Sequence, residues 1–316
     1  MTKITILDEG RLLEGGLKWS EINQLSQLTT YEHTTPEQLI ERAQDSRVLL
    51  TNKTPLSREV INSLHHLEFI GVLATGFNVV DVEAARARGI PVSNVPAYGA
   101  ESVAQHTWAL ILELCHHVGA HADDAANGDW TRSHRWSQWR WPLIELHGRR
   151  LGLIGRGPIA QRVAEIGRAF GMEVMHGSHS HPAGGDGLAP IEEICRSSDV
   201  LSLHCRLTPE NQGFLNAEFL REMKPGAFLI NTARGALVCE ADLADALNAG
   251  RLAGAAVDVL AQEPPAETNP LLKARNCFVT AHMAWSGLTA RRRLVETTEA
   301  NVKAFLNGSP INVVNL

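Results

Sequence analysis

Short apolar runs without helical spacing recur along the chain at residues 4–7, 48–51 and 69–73. They return at 151–154, 173–176, 200–204, 227–231, 255–257 and 277–280. Their length and their flanking turn residues predict buried strands. Helical patterns lie between them, at 36–43, at 58–64, at 79–88 (stopped by Gly89) and at 240–248 (ended by Gly250). Strands that alternate with helices predict parallel sheets. A longer apolar helix is predicted over 101–118, carrying Val103, Trp108, Leu110, Ile111 and Leu114, and a last helix over 289–306 before Gly308. Residues 123–146 break the rhythm with Trp130, Trp136, Trp139 and Trp141 in a polar, basic setting. Such a cluster suits a second core layer or an association surface, and a dimer contact is the preferred reading. The loose stretch is 178–187, rich in His, Gly and Pro.

A length of 316 residues predicts about two domains. No run of about twenty apolar residues occurs, so no membrane span is expected. The chain starts directly on a strand pattern, Lys3-Ile4-Thr5-Ile6-Leu7, rather than on a signal peptide. A net charge of −6 argues against nucleic acid as a partner. Five scattered cysteines, with no CxxC pair, predict reduced thiols in a cytoplasmic protein. The histidines show no metal-ligand spacing, so no metal is expected.

The candidate chemistry starts at Leu151-Gly152-Leu153-Ile154-Gly155-Arg156-Gly157-Pro158-Ile159-Ala160. A buried strand runs into a glycine turn and then a helical pattern with Ile159, Val163, Ile166 and Phe170 on one face. The spacing is G-x-G-x-x-A. The first glycine permits the tight turn, the second lets backbone approach a pyrophosphate, and the third small residue lets the helix pack on the strand. Helix N–H groups and the helix dipole then favour the phosphates, and Pro158 suits the first turn. Gly155, Arg156, Gly157, Pro158 and Ile159 are the expected cofactor contacts here.

Further motifs follow in order: Asn231-Thr232-Ala233-Arg234-Gly235, then Asp258-Val259-Leu260-Ala261-Gln262-Glu263-Pro264, then Ala281-His282-Met283-Ala284-Trp285. With the glycine turn, and with Ala74-Thr75-Gly76-Phe77-Asn78, Asn94-Val95-Pro96 and Ser202-Leu203-His204-Cys205, the chain resembles the D-isomer-specific 2-hydroxyacid dehydrogenases. Trp285 and the pair Asn52-Lys53 look most like the glycerate dehydrogenase and hydroxypyruvate (glyoxylate) reductase branch. The resemblance implies an α/β fold of two Rossmann-like, doubly wound parallel-sheet domains with a cleft between them. It places a discontinuous substrate domain at 1–100 plus 285–316 and a dinucleotide-binding domain at 101–284.

The same resemblance implies NAD(P)H-dependent reduction of a small 2-keto acid, hydroxypyruvate or glyoxylate, to the D-2-hydroxy acid. His282 would be the acid/base, Glu263 its orienting partner, and Arg234 the group that holds the carboxylate and polarises the carbonyl. Read without the resemblance, each is as well a structural group: a satisfied histidine, an exposed glutamate before prolines, a surface ion pair. Asp258 is expected at the nicotinamide carboxamide, with Cys205, Thr232 and Ala233 lining the cofactor. Thr75 and Gly76 are expected at the substrate carboxylate, and Asn52, Lys53 and Trp285 elsewhere on the substrate. A homodimer is expected from the family.

The sequence departs from the fingerprint in one telling place. About twenty residues past the glycines an Asp or Glu should hold the ribose, yet Ser178 stands there, followed by His179. Losing that carboxylate removes repulsion against a 2′-phosphate, so NADP(H) is favoured over NAD(H). No arginine lies in this loop. Arg206 and Ala281 stand where the family commonly has prolines. A D-lactate or D-3-phosphoglycerate dehydrogenase, or a nucleotide-sensing corepressor-like binding protein, are the alternatives. The chain ends soon after its last helix, so added regulatory domains are not expected.

Overall fold

Runs that are apolar at every position bury both faces of a strand, which is what a parallel sheet covered by helices on both sides demands. The computed structural model describes residues 2–315, and every strand pair in its two sheets is parallel. Residues up to Gly99 and from Ser286 onward form one compact unit, and Ala100–Trp285 form the other.

The first unit holds β1 (Thr2–Ile6), β2 (Ser26–Thr30), β3 (Val48–Thr51), β4 (Phe69–Val72) and β5 (Val92–Ser93), in the order β2-β1-β3-β4-β5. All side chains of β3 and β4 are buried. The helix Pro36–Ala43 begins as its sequence prescribes, with a Thr35–Gln38 capping box and proline in the first turn. The long helix Leu288–Leu306 belongs to this unit. Its Phe305 ring stacks on Phe69 at 4.7 Å, and Glu299 Oε1 accepts the Glu21 N–H at 2.8 Å at the start of the helix Ser20–Leu25. The strand β2 carries no apolar run. It is an edge strand, SQLTT, that pairs only with β1, so its place is set by backbone hydrogen bonds and not by burial.

The second unit holds β6 (Arg150–Ile154), β7 (Glu173–Gly177), β8 (Val200–Leu203), β9 (Phe228–Asn231), β10 (Gly254–Val257) and β11 (Cys277–Val279), ordered β11-β10-β9-β8-β6-β7. Successive residues point to opposite faces. Leu229, Ala255 and Val257 therefore enter one core with Leu201, Leu203 and Leu243, while Ile230 and Ala256 enter a second with Trp108, Leu153 and Val163. The strand order reverses between β6 and β8, and ligands of such sheets bind at that point, beyond the carboxyl ends of the strands.

The helix expected over 101–118 spans Ala100–His116 and breaks at His117, whose φ is +47°. Two further helices, Val118–Ala126 and Asp129–Ser133, occupy the stretch that breaks the α/β rhythm, and neither has a buried residue. Trp130, Trp136 and Trp139 are 49%, 92% and 62% exposed, so they form no second core layer. Trp141 differs: its ring packs against His117 and His121, with the Arg140 guanidinium 4.8 Å away.

Candidate active site

The glycine turn is pinned from both neighbouring strands. The Gly155 N–H donates to Gly177 O at 2.8 Å, the His176 Nδ1–H donates to Gly155 O at 3.0 Å, and the His204 N–H donates to Ile154 O at 2.9 Å. Gly155 has φ +125°, and a Cβ there would stand 2.5 Å from the His204 carbonyl oxygen, so only glycine fits. The helix Pro158–Ala169 starts at Gly157 with no side-chain cap and with proline in its first turn. Apart from its two chain neighbours, no residue comes within 4 Å of where a Gly157 Cβ would be. This uncapped helix start, open on its outer side, fits the pyrophosphate of a dinucleotide. Ala160 is fully buried against the strand and Ile159 half-buried.

Beneath the turn, burial, with His176 adding to it, pushes the His204 imidazole down to about 3, and its Nε2 pairs with Ser202 Oγ at 2.9 Å. Burial likewise pushes the Cys205 thiol up to about 11. Both groups stay neutral at working pH. The next loop brings Thr232, whose Oγ1 is 2.9 Å from Thr107 Oγ1, and Ala233, whose N–H donates to Asn231 Oδ1 at 3.0 Å. Ser178 Oγ meets Ser180 Oγ at 2.8 Å, and the His179 ring stands edge-on to Phe214.

The acid/base candidates come together. His282 Nδ1 lies 2.6 Å from Glu263 Oε2, and Glu263 Oε1 accepts the Leu260 N–H at 3.0 Å. An ionised carboxylate only accepts, so it fixes the proton on Nδ1 and leaves Nε2 as the working nitrogen. His282 itself sits at φ +49°, and its N–H donates to Asp258 O at 2.8 Å. Arg234 is exposed on the loop after β9, its Nη1 donating to Ala233 O at 2.6 Å. The following Gly235 packs directly on the Leu260–Ala261 backbone, which would collide with any Cβ there. The Arg234 loop and the loop leading to Glu263 are thereby held side by side.

Asp258 is 1% exposed, and both of its carboxylate oxygens serve the His282 loop. Oδ1 accepts from Thr280 Oγ1 at 2.6 Å and from the Met283 N–H at 2.9 Å, and Oδ2 accepts the Ala284 N–H at 2.8 Å. Motif reading missed two of its supports. His106 Nε2 is 3.2 Å from Thr280 Oγ1 and 3.5 Å from Asp258 Oδ1, and Ser102 Oγ donates to Ala284 O at 2.7 Å. Ser102 and His106 lie four apart on the helix Ala100–His116, hence on one face, and that spacing was the available signal. Trp285 is half-buried just beyond.

The remaining candidates lie in the first unit. β3 and β4 pair with Thr51 opposite Val72, so the loops that carry Asn52-Lys53 and Thr75-Gly76 leave one edge of the sheet side by side. Asp8 organises the first loop: its carboxylate accepts the N–H groups of Asn52, Lys53 and Thr54 at 2.8, 2.6 and 2.7 Å. Thr75 is tied to the next crossover, its Oγ1 donating to Val95 O at 2.8 Å and its carbonyl accepting from Asn94 Nδ2 at 2.7 Å. Among the described residues no group of His, Cys, Asp and Glu side chains could hold a metal ion, and no helix is long and apolar enough to cross a membrane.

Residues 108–284 match the family model of the D-isomer specific 2-hydroxyacid dehydrogenase NAD binding domain. The chain is 43% identical over 320 residues to the hydroxypyruvate reductase of Blautia hydrogenotrophica, covering 99% of each protein. It is 38% identical over 317 residues to the glycerate dehydrogenase of Methylorubrum extorquens, again over 99% of each. Among solved structures, an acyclic imino acid reductase in complex with NADPH and D-Arg superposes with a TM-score of 0.86, at 28% identity over 99% of this chain and all of that one. An open glycine turn at the switch point of a parallel sheet, under such a family match, makes this chain an oxidoreductase that uses a nicotinamide cofactor. It belongs to the D-isomer-specific 2-hydroxyacid dehydrogenases.

Proposed function

We propose that this enzyme reduces hydroxypyruvate or glyoxylate to D-glycerate or glycolate. The observation that carries the chemistry is the 2.6 Å contact between His282 Nδ1 and Glu263 Oε2, which orients the ring so that the imidazolium form of His282 gives its Nε2 proton to the substrate's carbonyl oxygen and is left neutral, with its remaining proton on Nδ1. The nicotinamide, when bound, supplies the hydride. Arg234 holds the substrate carboxylate in its planar fork and polarises the carbonyl. Asp258 acts through the loop that it holds, keeping His282 and its neighbours in place, and any carboxamide contact is secondary to that. Thr75 and Gly76 receive the carboxylate, with Asn52, Lys53 and Trp285 on the remainder of the substrate. The relatives named hydroxypyruvate reductase and glycerate dehydrogenase support this substrate class.

NADP(H) is the favoured cofactor, because Ser178 replaces the carboxylate that would repel a 2′-phosphate. The exposed Trp130, Trp136 and Trp139 support a homodimer built on that segment. Five unpaired cysteines support a reducing, cytoplasmic setting. The test is nicotinamide absorbance decay with hydroxypyruvate, glyoxylate, pyruvate and phosphohydroxypyruvate, each with NADPH and with NADH. Fast turnover of the first two with NADPH is the expected result. Preference for pyruvate or phosphohydroxypyruvate would overturn the substrate assignment, and preference for NADH the cofactor assignment.

A further inference from the structure

The loop after β7 contains no arginine, yet one is laid against it. β6 and β7 pair with Ile154 opposite Gly177, and the Gly155 N–H reaches Gly177 O at 2.8 Å. Arg156 therefore leaves the sheet beside Ser178, the position from which an acidic residue would hold a ribose hydroxyl. Its exposed side chain extends across the loop, and its Nη1 donates to the Asp186 carbonyl at 3.4 Å, a contact between residues 30 positions apart. The loop that receives it has its own backbone bonds: Gly184 N–H to His181 O at 3.0 Å, Ala189 N–H to His176 O at 2.7 Å, and Ile191 N–H to Pro182 O at 2.9 Å. Ser178 and His179 are half-buried on the same loop, and Ser178 Oγ is held by Ser180 Oγ.

We propose that Arg156 is the residue that reads the 2′-position of the cofactor, so that the site selects an adenosine carrying a phosphomonoester on its ribose 2′-oxygen. This rests on the NADP(H) reading above and assigns the cation which that reading requires. A guanidinium carries five N–H donors in a planar fork. One long bond to a neutral carbonyl leaves most of that capacity for a doubly charged phosphate, which binds a guanidinium much more strongly than a carbonyl does. The Ser178 hydroxyl adds a donor at the same place, where an Asp or Glu would instead have neutralised the arginine. The fork comes from the turn itself, between the two glycines, so the element that accepts the pyrophosphate also discriminates at the ribose.

The test is calorimetric titration of the full chain with 2′,5′-ADP and with 5′-AMP, in the wild type and in Arg156→Ala, with thermal melting as a check that the exposed substitution leaves the fold intact. The wild type should bind 2′,5′-ADP the more tightly. Arg156→Ala should lose at least about tenfold on 2′,5′-ADP, the scale of a charged phosphate contact, while 5′-AMP changes by less than about twofold. A variant that loses nothing, or loses equally on both nucleotides, would overturn the assignment of Arg156 and leave the NADP(H) reading standing. A wild type that does not distinguish the two nucleotides would overturn both.

Discussion

The two sheets are wound alike and finished differently. Read from the strand that lies second at one edge, both run second, first, third, fourth, fifth, with one more strand in the larger unit. In the first unit the switch point lies between β1 and β3, and three N–H groups converge there on the buried Asp8 carboxylate. In the second it lies between β6 and β8, and the helix start at Gly157 has neither a side-chain cap nor a neighbouring side chain on its open face. One edge has filled its anion position with its own carboxylate, which ties the loop after β3 to the end of β1. The other has left it open, which makes a nucleotide site. Topology places such positions, and a few residues at the turn decide whether they bind anything.

The contrast can be broken at the working edge first. Arg234→Ala should lower kcat/KM for the keto acid by about 10²–10³, and Arg234→Lys should recover little of it, because a point charge does not replace a fork. Steady-state kinetics checks both. Gly155→Ala should cost about 3 kcal/mol of stability, since it forces a left-handed φ and a collision with the His204 carbonyl, measured by denaturant unfolding. Gly157→Ala should leave stability nearly unchanged and weaken nucleotide binding instead. Asp8→Ala should cost about 2 kcal/mol by leaving its N–H partners unsatisfied, and added inorganic phosphate should return part of that stability. If phosphate has no effect, the two edges are less alike than their geometry says.

Stability should also depend on pH. In the folded protein His204 stays neutral down to about 3, whereas in the unfolded chain a histidine takes up its proton below about 6.5. The unfolded state therefore binds more protons between those values, and stability falls as the pH is lowered through that window. Between pH 6.5 and 5 the loss from this residue is about 2 kcal/mol. His204→Gln should flatten the slope, as read from melting temperatures at the two pH values.

What was legible in the sequence follows the same division. Val48–Thr51, Pro36–Ala43 and Glu240–Asn248 could be read to the residue, because an unbroken apolar run, a proline at a helix start or a glycine after a helix end is a local signal. The strand Ser26–Thr30 could not, since its place comes from pairing with β1. The pairing of His282 with Glu263 was legible only through the family resemblance, since neither residue alone points to the other across 19 positions. Asp8 and the Asn52 loop, 44 positions apart, were not, and neither were His106 and Thr280 nor Arg156 and Asp186. Those contacts exist only once strands from distant parts of the chain lie in register.

The role proposed for the His282–Glu263 pair is delivery of the proton at the carboxyl edge of the second sheet. The most direct measurement is single-turnover reduction of hydroxypyruvate by the wild type and by His282→Gln, following nicotinamide absorbance, with nucleotide binding titrated in parallel. The variant should still bind the nucleotide while its reduction rate falls by about a thousandfold or more. A variant that binds and reduces within about tenfold of the wild type would contradict it.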